Sequence, residues 1–148
     1  MPGAYVEVLM PTVMNEHPLA ALEAYVDAVA DPREGNGFWI AGLPFDYYPP
    51  GAPEDDSEYG ALSWLPAQVI GFSAGSRGQA SDLFLGMMAC RVAGLFGGLI
   101  ALRGDLTKLC DNPSVLTFEG RFGTEAGDVV SPEFMRYWMG CPGFRLFN

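Results

Sequence analysis

Apolar and polar positions alternate over residues 4–10 (AYVEVLM), with Tyr5, Glu7 and Leu9 on one side and Val6, Val8 and Met10 on the other, before Pro11. A period of two predicts a strand. His17-Pro18 then opens PLAALEAYVDAVA, in which Leu19, Leu22, Val26 and Val29 fall on one stripe and Glu23, Asp27 and Asp31 face away. This is the spacing of an amphipathic helix, stopped by Asp31-Pro32. Residues 37–42 (GFWIAG) predict a short second strand, and residues 64–73 (WLPAQVIGFS) a third, centred on Val69, Ile70 and Phe72. The longest apolar run, residues 79–106, predicts a buried helix capped by Ser81 or Asp82 and ended by Gly97-Gly98. Leu99, Ile100, Ala101 and Leu102 then form a buried strand. Residues 115–122 (VLTFEGRF) alternate again and predict a fifth strand. Ser131-Pro132-Glu133 opens a last helix, SPEFMRYWMG, with Phe134, Tyr137 and Trp138 inward. The order of the first six elements predicts an α+β fold, a ferredoxin-like βαββαβ sandwich extended by a fifth strand and a C-terminal helix. At 148 residues it forms a single domain.

The central run has one rival reading. Residues 83–102 are twenty in number with a single charge, Arg91, which is long enough to cross a bilayer. Arg91 near the middle, the interrupting glycines and the lack of flanking basic clusters favour a core helix instead.

Residues 43–60 (LPFDYYPPGAPEDDSEYG) break every periodic pattern. Four prolines and two glycines, Gly51 and Gly60, predict a long loop, and three tyrosines, one phenylalanine and five carboxylates share its eighteen positions. Such a segment is either a contact surface for a basic partner or a solvated insertion. Charge sharpens that choice. Residues 1–60 hold eleven acidic side chains against Arg33 alone, so they carry the whole net charge of −10, while residues 61–148 hold seven of each sign. An acidic chain does not neutralise a phosphate backbone, which disfavours nucleic acid as partner and favours a basic protein.

Candidate chemistry is thin. Cys90, Cys110 and Cys141 are widely spaced and His17 is the sole histidine, so no zinc site is expected. Free thiols and the lack of a recognisable secretory signal predict the cytoplasm. Gly71-Phe72-Ser73-Ala74-Gly75 fits the G-x-S-x-G pattern of a nucleophile elbow between strand and helix. Its only base, His17, lies upstream, which is the wrong chain order for that fold. The turn from Ser73 to Gly78 lacks the Lys-Ser/Thr of a phosphate loop. Glu54, Asp55, Asp56 and Glu58 lie in a Pro/Gly segment with no apolar pocket to perturb them. No catalytic set is complete, so the chain reads as a non-enzyme without metal or cofactor.

The C-terminal half adds a resemblance. FGGLIAL (residues 96–102), then an alternating strand, then PEFMRYWMGCPGFRLFN at the end, resembles a family of small bacterial proteins of uncharacterised function. The matching positions are Pro132, Glu133, Phe134, Arg136, Trp138, Pro142, Phe144 and Arg145, over about the last 70 residues. Cys141 stands where a His is common, and Phe147-Asn148 replace a basic last residue. Proteins that look like this sit beside polymorphic toxins and are taken to be their immunity proteins. The resemblance thus implies an antitoxin that binds a cognate toxin, a basic effector domain acting on nucleic acid or nucleotide, and blocks its active site. On that reading Asp46, Tyr47, Tyr48, Glu54, Asp55, Asp56, Glu58 and Tyr59 are the expected toxin contacts. A ligand-binding regulatory domain and, further off, a small serine hydrolase using Ser73 are the alternatives.

Overall fold

A computed structural model of the chain describes residues 2–54, 56–110 and 112–148. Strand β1 (Tyr5–Met10) leads to helix α1 (Glu16–Val29), the hairpin of β2 (Arg33–Glu34) and β3 (Gly37–Ile40), and then β4 (Leu43–Gly51). After a short 3-10 turn, Asp56–Tyr59, come β5 (Gln68–Ala74), helix α2 (Gln79–Phe96) and β6 (Leu99–Ala101). Two further 3-10 turns precede the hairpin of β7 (Arg121–Thr124) and β8 (Gly127–Val130), and helix α3 (Pro132–Met139) closes the order. The strands form one antiparallel sheet in the order β2-β3-β4-β5-β1-β6-β8-β7. The fold is therefore mixed α+β, with more strands than the five the sequence predicts. The sheet is open, with β2 and β7 as its edges.

Two expectations are corrected. The segment 43–60 is not a loop throughout, because its first half is β4. The burial of LPFDYYPPG alternates strictly at its centre, with Phe45 and Tyr47 buried and Asp46 and Tyr48 exposed. The prolines occupy the places where a strand tolerates them. Pro44 is the second residue of β4, and its carbonyl accepts the Gly75 N–H at 2.8 Å. Pro49 and Pro50 fall where the β4–β5 register breaks, between Tyr48 opposite Gly71 and Gly51 opposite Val69. That irregularity absorbs two missing N–H donors. The strand expected over residues 115–122 is also misplaced. Pro113–Thr117 is a 3-10 turn, closed by the Thr117 hydroxyl donating to the Ser114 carbonyl at 2.8 Å. Gly120, at φ +102, redirects the chain into β7, and the second half of that hairpin, β8, is a strand the alternation did not predict.

One face of the sheet carries the main core. Val6, Val8 and Met10, Phe45 and Tyr47, and Ile70 and Phe72 meet Leu22 and Val26 of α1, Leu85, Met88 and Val92 of α2, and Phe134 and Trp138 of α3. Helix α2 is the central one and ends as expected, with Gly97 in the left-handed conformation at φ +71. No described helix is long and apolar enough to cross a membrane. Cys90 is buried in α2, where loss of solvent pushes its thiol up to about 11 and leaves it a small core residue. Ser131 caps α3 by accepting the Phe134 N–H at 3.1 Å, as the sequence predicts.

The expected cap of α2 is different. Gly78 holds the N-cap position, while Ser81 and Asp82 are buried in the first turn. The Asp82 carboxylate instead accepts the Leu146 N–H at 3.0 Å, clipping the C-terminal tail to α2. Burial raises its pKa above the ordinary carboxylate value, partly opposed by that hydrogen bond. A raised folded-state pKa means that the native state holds the proton longer. Its contribution is complete below the unfolded pKa and is lost as pH rises through the raised value. Urea unfolding from pH 3.5 to 7 should therefore show the wild type losing stability relative to Asp82→Asn as pH rises. A parallel pair of profiles would rule this out.

Arg33, the one basic residue of the first sixty, ties the β2–β3 hairpin to α1. Its guanidinium pairs with Glu23 at 3.0 Å and Asp27 at 2.7 Å and lies 5.6 Å above the Tyr47 ring. Exposed ion pairs contribute up to about 1 kcal/mol each and a cation–π contact about 0.5–1 kcal/mol. Arg33→Met should lower stability by about 1–2 kcal/mol in urea, and Arg33→Lys should restore under half, since Lys lacks the planar fork. Full restoration by Lys would contradict the fork geometry.

Candidate functional site

The second face of the sheet is only partly covered. Leu9, Ala101 and Val129 are capped by Tyr59, with Leu62 and Trp64 packed alongside. Toward β4 this cover stops, and the alternation that buries Val6 and Val8 turns Tyr5 and Glu7 outward onto an open floor. Gly71 on β5 makes that floor flat. A Cβ built there would meet the Tyr5 hydroxyl at 2.8 Å and the Tyr48 ring at 3.0 Å, so two aromatic rings lie across a residue that has no side chain. Tyr5 and Tyr48 pack edge to face at 5.7 Å between centroids, and Tyr48 shares a hydrogen bond with Ser73 at 3.2 Å.

Beside this aromatic pair is a pocket of about 330 Å³, walled by Tyr5, Glu7, the chain leaving β4, Glu58, Tyr59 and Arg103. Arg103 follows β6 in the left-handed region at φ +62, an uncommon conformation for a residue with a side chain. That backbone turn carries its guanidinium back over the sheet. It lies 3.4 Å from Glu7 and 3.3 Å from Glu58, and donates to the Tyr59 hydroxyl at 3.3 Å. Burial opposes its charge, but Glu7, Tyr59 and Glu58 outweigh burial and raise its pKa. Tyr5 donates to Glu7 at 2.9 Å. Burial first, then the Glu7 charge, raises the Tyr5 pKa, as they do that of Tyr59, so both stay neutral phenols across the physiological range. Tyr5 thus takes Glu7 Oε2, and the buried Oε1 is the oxygen that faces Arg103 in the ion pair.

Asp46 and Tyr48 are exposed on the open face, the latter 46% accessible, and Glu54 is exposed where the chain crosses toward the 3-10 turn. Glu58 is half-buried in its ion pair with Arg103. Two expected contacts are elsewhere. Tyr47 is buried in the main core, stacked on Phe72 at 5.7 Å, because the period of two sends it opposite to Tyr48. Tyr59 is 3% exposed, packed with Leu9, Ala101 and Val129, and lines the pocket wall. The Asp56 backbone starts the 3-10 turn, and Asp55 lies outside the described residues. Tyr5, Glu7 and Arg103 were missed by sequence reasoning. The alternation had already set Tyr5 and Glu7 on one side of β1, but nothing in the sequence placed Arg103 against them.

Ser73 is a strand residue paired with Tyr5 and with Asp46, not the apex of a strand-to-helix elbow. His17 is carried by α1, which packs on the other face of the sheet. Among the described residues no group of three or more His, Cys, Asp or Glu side chains is placed to hold a metal ion. The open face carries a set of phenols and carboxylates around one arginine.

No curated protein and no solved structure matches the chain. One family profile matches residues 2–148, described as a family of unknown function (DUF6368), and the chain belongs to that family.

Proposed function

We propose that the protein is an inhibitor of immunity type, which receives a basic toxin domain on the open face of its sheet and blocks that toxin's active site. The observation that carries this reading is a pocket lined by Glu54 and Glu58, with Tyr48 packed on its Tyr5 wall and Asp46 exposed on the same strand as Tyr48, on a face that no described helix covers. Aromatic groups set among carboxylates can anchor and steer a cationic partner. The partner would then be a domain whose cleft is basic because it acts on nucleic acid or nucleotide. The chain itself, at a net charge of −10, would bind no nucleic acid. Three free thiols suit a reducing compartment, the cytoplasm. The finer fold reading belongs here as well. Strands β4, β5, β1 and β6 with α1 and α2 keep βαββαβ connectivity, a ferredoxin-like sandwich widened by a hairpin on each side.

The test is capture from source-cell lysate with tagged protein, followed by an activity assay of the captured domain. The reading requires one stoichiometric basic partner whose toxic activity is inhibited at equimolar protein. A captured protein that is not inhibited, or no partner, would move the assignment to a ligand-binding regulatory domain. The pocket on the open face favours that second reading.

A further inference from the structure

We propose that Cys110 and Cys141 form a paired redox site, two thiols that a peroxide closes into a disulfide clamping the segment after β6 to the end of α3. Both are half-buried, and both line one pocket of about 290 Å³ with Leu109, Tyr137 and Trp138. Tyr137 lies within electrostatic reach of the two. Burial first, then the Cys141 charge and hydrogen bond, then the Cys110 charge raise its pKa, which sets both sulfurs around one phenol.

Neither thiol is held by a contact that a bridge would sacrifice at much cost. Cys110 donates to the Asn112 carbonyl at 3.0 Å and Cys141 to the Tyr137 carbonyl at 3.3 Å, and S–H is a weak donor. The backbone is adjustable at both places. A disulfide needs its Cα atoms within about 7 Å. Cys110 follows the 3-10 turn Leu106–Lys108 and Cys141 lies in the bend after α3, so neither is fixed in a helix or a strand ladder. The third thiol, Cys90, is set apart by its burial on α2. It donates to the Pro132 carbonyl at 3.6 Å, and loss of solvent pushes its pKa up to about 11, which leaves little thiolate to react.

That pairing runs against sequence separation. Cys90 and Cys110 are 20 residues apart, and Cys110 and Cys141 are 31. Loop closure in an unfolded chain therefore favours the first pair, and only the fold favours the second. In the oxidation, one thiolate attacks a peroxide oxygen and breaks the O–O bond, giving a sulfenic acid and hydroxide. The second thiolate attacks that sulfur, the S–S bond forms, and a second hydroxide leaves as the S–O bond breaks. The two thiol protons end on the hydroxides. One hydrogen peroxide is thus reduced to two waters as two cysteines are oxidised to one disulfide.

The experiment is oxidation of the folded full-length protein with hydrogen peroxide, followed by N-ethylmaleimide and non-reducing tryptic digestion. Trypsin puts each cysteine in its own peptide, residues 78–91, 109–121 and 137–145. We expect peptides 109–121 and 137–145 joined within a monomer, outnumbering either pairing with 78–91 about tenfold, and parted again by dithiothreitol. The same oxidation in urea should make Cys90–Cys110 the main pairing. Cys110→Ser and Cys141→Ser, both at half-buried positions, should each abolish the native bond. The oxidised protein should melt about 5–10 °C above the reduced one, as expected when a bridge closes a loop of this length.

A native bond that includes Cys90, a bond between two chains in place of one within a chain, or oxidation of both thiols to sulfinic acid with no bond overturns the proposal. An oxidised form that melts no higher than the reduced one overturns the clamp.

Discussion

Trp138→Ala is expected to lower the unfolding free energy by about 3–5 kcal/mol, the range for removing a buried large aromatic, and Tm by about 10–20 °C. Trp138 is the largest fully buried side chain and 1% exposed. It joins three parts of the fold: α3, which carries it, the main core beneath, and the C-terminal tail, through Phe144 at 5.5 Å edge to face. The tail has only a few other anchors, among them Leu146, 3% exposed, and the hydrogen bond from its N–H to Asp82. Truncation therefore opens a cavity and loosens the tail together, and limited proteolysis should release the last residues before the domain unfolds. Trp138→Phe should cost far less, about 1.5 kcal/mol or under. Among the described residues the buried indole N–H has no acceptor, so its removal recovers part of a desolvation penalty. Equal costs for Ala and Phe would mean that the missing hydrogen bond, not the packing, governs this site.

Trp138 also marks the part of the fold that sequence reasoning reached. The caps at Ser131 and Gly97 act locally, through one hydroxyl and one left-handed glycine, so they can be read without the tertiary structure. The same holds for β1, whose alternation is unbroken. Strand β4 was hidden because Pro44, Pro49 and Pro50 signal a loop wherever their N–H groups are needed, and only the pairing shows that they are not. The FDYY alternation at its centre was the available clue. Read as a period of two, it would have put Tyr47 in the core and Tyr48 outside. Residues 115–122 failed in the opposite way, since alternation was present but the left-handed Gly120 cut it short. For the candidate site, the acidic–aromatic composition of residues 43–60 pointed to the right neighbourhood. The floor it faces could not be read, because Tyr5, Glu7 and Gly71 join it through strand pairing and Arg103 through a single positive φ.

Reversing two charges on that face should abolish most of the partner's affinity. Glu54→Lys with Glu58→Lys moves the net charge from −10 to −6. So does Glu119→Lys with Glu133→Lys, at two exposed positions away from the pocket. The two doubles share the change in total charge and differ in where it falls. If long-range attraction alone drives association, both should slow it alike, and added salt should erase the difference from wild type. If the open face is the interface, the first double should lower affinity about 10²–10³-fold, since like charges then meet across a closed contact. The second double should change it by less than about threefold. Stability does not confound the comparison. Glu58 contributes one partly exposed ion pair with Arg103, worth about 1 kcal/mol or less, and Glu133 one exposed pair with Arg136. Surface plasmon resonance at about 50 and 300 mM salt separates the two cases. Loss of affinity that survives high salt, confined to the Glu54/Glu58 double, places the partner on the pocket. Equal losses in both doubles would leave acidity as a general property of this chain, with no role for the open face.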